Sequence, residues 1–310
     1  MTVRKIAAAF ILIISAFPVH ADEVTRLAEK GEAEAQYRLG ERYYHGDGVR
    51  HDYAEAFRWY MKAAKHGLAA AQSSVALMYE IGRGVSSNET EARRWYIRAF
   101  HVRRKAADNG DAEAQYRLGW MYYLHQGVEQ DKSEALRLWR LSAENGFGNA
   151  QKWLGDLYDS GGEFVDEDPE EAEKWYLRAI ETYRRDADKG DPEAQFLLGN
   201  MYYNGWGAGE NISGALKYFL MSAKQENASA QYMLGHMYRS GRDVKRNYFE
   251  ALKWYRKAAE HGNATAQYYL GEMYEKGEGV RKNPKEARKW YGRAAAQDYP
   301  SAEEALDRLR

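Results

Sequence analysis

The sequence contains no cysteine among its 310 residues. Without thiols it can form neither disulfides nor thiolate metal sites, so its stability must come from packing. It also lacks an excess of either charge, because 45 Lys and Arg are balanced by 46 Asp and Glu, and the signs are interspersed. We therefore expect no nucleic-acid partner. Aromatic residues make up 14% of the chain, which predicts a folded protein and not a disordered one.

Signatures of catalysis are also missing. The sequence has no Ser-x-x-Lys, no G-x-S-x-G, no phosphate-loop lysine motif and no H-E-x-x-H. Its eight histidines belong to different segments and lie mostly in predicted turns, so we expect no metal site. We predict no enzyme activity, no catalytic residues and no cofactor. A hydrolase of cell-wall or β-lactam substrates is the alternative from another class, and it would require a nucleophile and base that the sequence does not show.

The N-terminus is typical of a secretory signal peptide over residues 1–21. Arg4 and Lys5 precede an apolar run from Ile6 to Phe17, and residues 19–21 provide small side chains for cleavage. The run is shorter than the roughly 20 residues of a membrane-spanning helix. We predict a mature chain from Asp22, without an integral membrane segment, that is periplasmic or secreted. An uncleaved anchor is the alternative.

Residues 22–310 consist of internal repeats, which we expect to form a single domain. The segment Ala35-Gln36-Tyr37-Arg38-Leu39-Gly40 recurs closely at residues 114, 194, 230 and 266 and more loosely at residues 71 and 150. Apolar residues within each segment have helical spacing. Seven units follow, with a capping helix from about residue 299. The units begin near residues 31, 67, 110, 146, 190, 226 and 262.

Each unit predicts a second helix. A glycine-rich turn such as residues 46–49 ends the first helix, because glycine adopts the positive φ that such an end requires. A short acceptor residue then caps the second helix: Asp52, Asn88, Asp131, Asp168, Asn211, Asn247 and Asn283. Every second helix carries a bulky pair such as Trp59-Tyr60, which one helix pair cannot bury alone. The units must therefore stack into a curved α-solenoid.

The A-Q-Y-x-L-G segment, the G-x-G-V turn, the Asp or Asn cap and the W-Y-x-x-A-A helix resemble the Sel1-like repeat (SLR) family. That family is a branch of the tetratricopeptide-like solenoids. The resemblance implies an all-α, right-handed superhelix of about seven helix-turn-helix repeats whose first helices line the concave face. It also implies a protein-interaction scaffold or adaptor in the bacterial envelope, or alternatively a secreted factor that engages a host protein. We expect the partner, a protein or peptide, to bind in the concave groove.

Aromatic residues outside the repeating second-helix pairs are the candidates for contact with the partner. They lie on first helices or on the loops that follow them: Tyr44, Tyr116, Trp120, Tyr123, Trp153, Phe196, Tyr203 and Trp206. Packing is the alternative role for the recurring ring represented by Tyr116 and Phe196. Trp153 could instead fill a gap in the irregular fourth unit, and Trp206 could pack under its own loop.

Two units have a lengthened second helix. The extra residues are 100–106 and 180–186, about two turns each, and we expect them to project beyond the edge of the solenoid. They carry Arg103, Arg104 and Lys105 in one unit and Arg184 and Arg185 in the other. A solvated face and a second docking edge are both open interpretations of these charges.

Overall fold

The computed structural model describes residues 21–242 and 244–309, so most of the predicted signal segment lies outside the described residues. Within this part of the chain, sixteen helices and no strands occur. They are α1 Ala21–Glu29, α2 Ala33–His45, α3 Tyr53–Lys65, α4 Ala69–Ile81, α5 Glu89–Asp108, α6 Ala112–Tyr123, α7 Lys132–Glu144, α8 Gly148–Ser160, α9 Pro169–Asp188, α10 Pro192–Asn204, α11 Ile212–Lys224, α12 Ala228–Ser240, α13 Tyr248–Glu260, α14 Ala264–Lys276, α15 Pro284–Ala295 and α16 Ala302–Arg308.

The helices pack in seven successive pairs, from α2 with α3 to α14 with α15. The second helix of each pair packs on the first helix of the next pair, while α1 packs on α2 and α16 packs on α15. This neighbour-to-neighbour stacking confirms the all-helical α-solenoid. None of the helices in the described ranges is both long enough and apolar enough to cross a membrane.

All seven predicted N-caps are confirmed. The side-chain oxygen of each accepts a backbone N–H in the first turn of its helix, as Asp131 does from Glu134 at 2.9 Å. The predicted glycine turn is confirmed at Gly46, which ends α2 with a φ of 71°. Local sequence signals therefore set the helix boundaries.

The glycine of the A-Q-Y-x-L-G segment provides space for a ring of the second helix. A Cβ placed on Gly235 would lie 2.6 Å from Cδ1 of the buried Tyr255 ring. Five other units repeat this contact: Gly40 with Tyr60, Gly119 with Trp139, Gly155 with Tyr176, Gly199 with Phe219, and Gly271 with Tyr291. In these six units the absence of a side chain on the first helix allows the second helix to approach closely.

The glutamine of the same segment joins each pair to the preceding helix. Its side-chain amide donates to a carbonyl in the last turn of that helix, as Gln231 Nε2 does to Ala223 O at 3.2 Å. The other six donors are Gln36, Gln72, Gln115, Gln151, Gln195 and Gln267. Each of these carbonyls also accepts a backbone N–H of the following turn, as Ala223 O does from Glu226 at 3.2 Å. The glutamine therefore uses the second lone pair of the carbonyl and links the two helices at every junction.

The first two units of the solenoid touch the last two. His261 Nδ1 lies 3.1 Å from Asp47 Oδ1, and a Cβ on Gly262 would lie 2.2 Å from the carbonyl oxygen of His45. Arg83, in the loop after α4, forms an ion pair with Asp298 between α15 and α16. Each of these contacts joins a unit to the one five places further along, so curvature accumulates until the two ends of the array lie against each other.

This closure should depend on pH through His261. The hydrogen bond with Asp47 raises the pKa of His261, although burial opposes the shift. Because the pKa of His261 is higher in the folded protein, protonation of His261 stabilises the fold fully at pH values below its unfolded-state pKa of about 6.5. This contribution is lost as the pH rises through the folded-state pKa of His261. Urea titrations should therefore show that the wild-type protein is less stable at about pH 8.5 than at about pH 5.5. In His261→Gln this difference in the free energy of unfolding should be smaller. An equal loss in both proteins would contradict this assignment.

Candidate protein-binding groove

A cavity of about 590 Å³ opens on the inner side of the first five units. Its walls are formed by the first helices α2, α4, α6, α8 and α10, together with the second helices α5 and α9. The first helices therefore line the inner face, as the family resemblance implies. We call this cavity the central groove.

Two positions of the repeat supply much of the groove surface. The first position is the residue just before the Ala of the A-Q-Y-x-L-G segment, and the second is the variable residue x of that segment. The two positions are four residues apart and therefore lie on the same face of the helix. The first position contributes Glu34, Ala70, Glu113, Asn149 and Glu193, and the second contributes Ser74, Arg117 and Leu197. Both positions vary between units, and this variation is the sequence signal that could have identified the groove.

The lengthened helices do not simply project outward as expected. Their extra turns contribute Val102, Arg103, Thr182 and Tyr183 to the groove wall. Tyr183 is buried, and its hydroxyl donates to Asn149 Oδ1 at 2.6 Å. These extra turns pack inward on the following first helix and make the groove wall deeper. The expectation that they project beyond the edge of the solenoid was therefore wrong for these side chains.

Only Trp120 among the eight predicted aromatic residues lines the central groove. It is 6% exposed and packs against Trp139 and Trp153, with ring centroids 4.9 and 4.8 Å away. Tyr116 is buried beside it, and the half-buried Tyr123 packs on the Trp120 ring at 5.8 Å. These rings form an aromatic cluster between units three and four.

The other four candidates are half-buried and lie at other places. Phe196 and Tyr203 pack on Phe219 of the same unit, at 6.0 and 6.3 Å between ring centroids. Trp206 stacks on Tyr176 in a separate cavity of about 240 Å³. The Tyr44 hydroxyl accepts from Arg83 at 2.6 Å, beside the closure contact. The structure does not bring the eight rings together on one surface.

Charges in the groove differ between its two ends. Burial and the nearby Arg117 lower the pKa of Arg103, between units two and three, to about 10. Burial raises the pKa of Glu193, in unit five, to about 7, although Asn227 donates to its carboxylate at 3.0 Å. The groove thus carries a guanidinium on the wall between units two and three and, in unit five, a carboxyl whose pKa is raised. In the described ranges, no group of three or more His, Asp or Glu is placed to hold a metal ion.

Comparison with known proteins supports the assignment made from the repeat. The Sel1 repeat model matches residues 33–68, 69–100, 112–147, 148–181, 192–227, 228–263 and 264–299. The chain belongs to the Sel1 repeat family. Sel1 repeat proteins are generally protein-interaction scaffolds and are typically non-catalytic. No curated protein matches this chain.

Solved structures of other Sel1 repeat proteins are similar to this chain. A Sel1 repeat protein from Oxalobacter formigenes is 30% identical, with 93% of this chain and 79% of that chain covered and a TM-score of 0.51. The protective antigen c5321 of uropathogenic Escherichia coli is 34% identical, with 94% and 67% covered and a TM-score of 0.40. The immunity protein Pa5087 of Pseudomonas aeruginosa is 21% identical, with 66% and 75% covered and a TM-score of 0.44.

Replacing Trp120 with alanine should destabilise the protein strongly. The substitution removes a ring that packs on two other tryptophans, which typically costs about 3–5 kcal/mol. Urea unfolding should show a loss similar to that of Trp254→Ala, because Trp254 is also a buried ring. Near-wild-type stability combined with weaker partner binding would instead assign Trp120 to recognition. Its role in binding stays a prediction, as do those of the other seven rings.

Proposed function

We propose that this Sel1 repeat protein is an exported scaffold or adaptor of the bacterial envelope that holds a segment of a partner protein in its central groove and has no turnover of its own. The observation that carries the proposal is the groove itself. Five units present their variable side chains to one cavity, while the recurring residues build the solenoid. A groove whose side chains differ from unit to unit, on helices that pack in the same way in every unit, is suited to binding a specific partner.

Apolar side chains on the groove wall would provide much of the binding energy. Leu77 and Leu197 are half-buried and line the groove, and Val102 is 41% exposed there. Burying such surface against a partner is favourable in proportion to the apolar area removed from water. Positions of this kind are well placed to test where the partner binds.

Groove substitutions test the proposal directly. The chain from Asp22, immobilised on beads, should capture a partner from envelope extract, and Leu77→Glu or Leu197→Glu should abolish that capture by placing a carboxylate on the apolar wall. Leu177→Glu is the matched control, because Leu177 is 42% exposed and is not part of the groove lining. Equal capture by all three variants would rule out the groove as the binding surface.

The proposal of export is supported by the basic residues and apolar run that precede Ala21. Cells that produce the full chain should release a protein beginning at Asp22 into the periplasm or the medium. Mass spectrometry of each fraction would identify the new N-terminus and separate the periplasmic adaptor from the secreted factor. A full-length chain retained with the membrane would support an uncleaved anchor instead.

A further inference from the structure

Arg103 is the most unusual charged residue of the groove. Its Nη1 donates to Ser73 Oγ at 2.5 Å and lies 3.6 Å from Met121 Sδ, which is a weak acceptor. Among the described residues, no carboxylate lies within 4 Å of its guanidinium, and neither Nε nor Nη2 has an acceptor. A guanidinium carries five donors, so most of the hydrogen-bonding capacity of this half-buried cation is not used within the protein.

The carboxylates around the groove do not pair directly with Arg103, because each has another partner, although the charge of Glu113 favours the protonated guanidinium. Glu34 pairs with Arg38, Glu113 with Arg117, and Asp186 with Lys189; Asp111 and Asp191 cap α6 and α10; Glu193 accepts from Asn227. The neighbouring Arg117 adds a like charge that lowers the pKa of Arg103. Arg103 is half-buried and is not paired with a carboxylate, so a carboxylate bound in the groove would gain a direct ion pair with it.

The other lengthened helix shows that the fold does not require a cation at this position. Residue 183 of α9 corresponds to residue 103 of α5, since their caps Asp168 and Asn88 are equally far upstream. Tyr183 is neutral and fully hydrogen-bonded to Asn149 through its hydroxyl. The position that holds the charged Arg103 in α5 is therefore occupied by the neutral Tyr183 in α9.

We propose that Arg103, with Arg117 beside it, is a carboxylate-binding subsite that selects partner segments carrying an Asp or Glu side chain. This inference rests on the proposed function, because the segment must lie in the central groove. The planar guanidinium can donate two parallel hydrogen bonds to a carboxylate, and its half-buried position in the groove strengthens that contact relative to open solvent.

A phage-displayed library of short random peptides, selected on the chain from Asp22, tests the subsite. Selected peptides should be enriched in Asp or Glu at one position, and their affinity should fall at least about tenfold in Arg103→Met. Asp→Asn in the best peptide should weaken binding to the wild type similarly and should have little further effect with Arg103→Met. Arg98→Met is the control, because Arg98 stacks on Trp95 outside the groove lining and should leave affinity unchanged.

Thermal melting separates recognition from a structural role. Arg103→Met and Arg103→Tyr should melt within about 2 °C of the wild type, because the half-buried guanidinium forms no ion pair with a carboxylate and its loss removes the like charge beside Arg117. A larger fall in the melting temperature of both variants would assign Arg103 to stability and overturn the subsite. Peptides without acidic enrichment would overturn the subsite alone, whereas selection of no groove-binding peptide at all would overturn the proposed function as well.

Discussion

Valine in place of Gly235 should disrupt the packing of the sixth helix pair, with a loss of about 2–3 kcal/mol in the free energy of unfolding. The added Cβ would lie 2.6 Å from the Tyr255 ring, which is fully buried and has no room to move away. The two helices of this unit would have to separate. Unit two carries Ala76 at the equivalent position against Tyr96, so one methyl group can be accommodated and the larger valine is the decisive substitution. Urea unfolding followed by tryptophan fluorescence measures the loss.

Gly292→Ala provides the matched control for that substitution. Gly292 lies in α15, and a Cβ placed there would meet no atom within 4 Å. Alanine should therefore stabilise the helix by about 0.5–1 kcal/mol, because it restricts the unfolded chain. If Gly235→Val were as stable as the wild type, the tight contact between glycine and ring would not be needed for packing.

Cysteines introduced at Asp47 and His261 should crosslink within one molecule. The two side chains lie 3.1 Å apart across the closure contact, although they are separated by 214 residues of sequence. Since the natural chain has no cysteine, a double variant Asp47→Cys, His261→Cys carries only the two designed thiols. A short bifunctional thiol reagent should convert nearly all monomers to a looped form that migrates differently on a denaturing gel.

The single variants and the urea-unfolded double variant are the controls for this crosslink. Neither should give the looped monomer, because one lacks the second thiol and the other lacks the contact. Only intermolecular dimers, or no product at all, would show that the solenoid is open at its ends. The groove would then be an open arc and not the interior of a closed turn.

The sequence did not correctly predict which aromatic residues line the central groove. The family resemblance placed the partner site on the first helices, and five of them line the central groove. The residues that we selected on them were the recurring or conspicuous rings. Trp120 packs among other tryptophans, and Phe196 packs on its own unit's Phe219. Large rings are buried where packing allows, so recurrence at a position predicts structure more than recognition. The variable positions represented by Arg117 and Leu197 face the groove.

The residues at helix ends show what the sequence by itself determined. The seven Asp or Asn caps and the glycine turn at Gly46 act through bonds and dihedral angles within a few residues, so the pattern predicts the helix boundaries without knowledge of the fold. The repeated pairing of these helices then follows, because each unit must cover the rings of its neighbour.

Only the tertiary structure decided the inward position of Arg103 and Tyr183, the depth of the groove, and the contact of His261 with Asp47. Each depends on the angle at which one unit packs on the next. A small rotation at every junction adds up over seven units, so the position of the last unit relative to the first is a sum of many packing contacts that no single segment of sequence encodes.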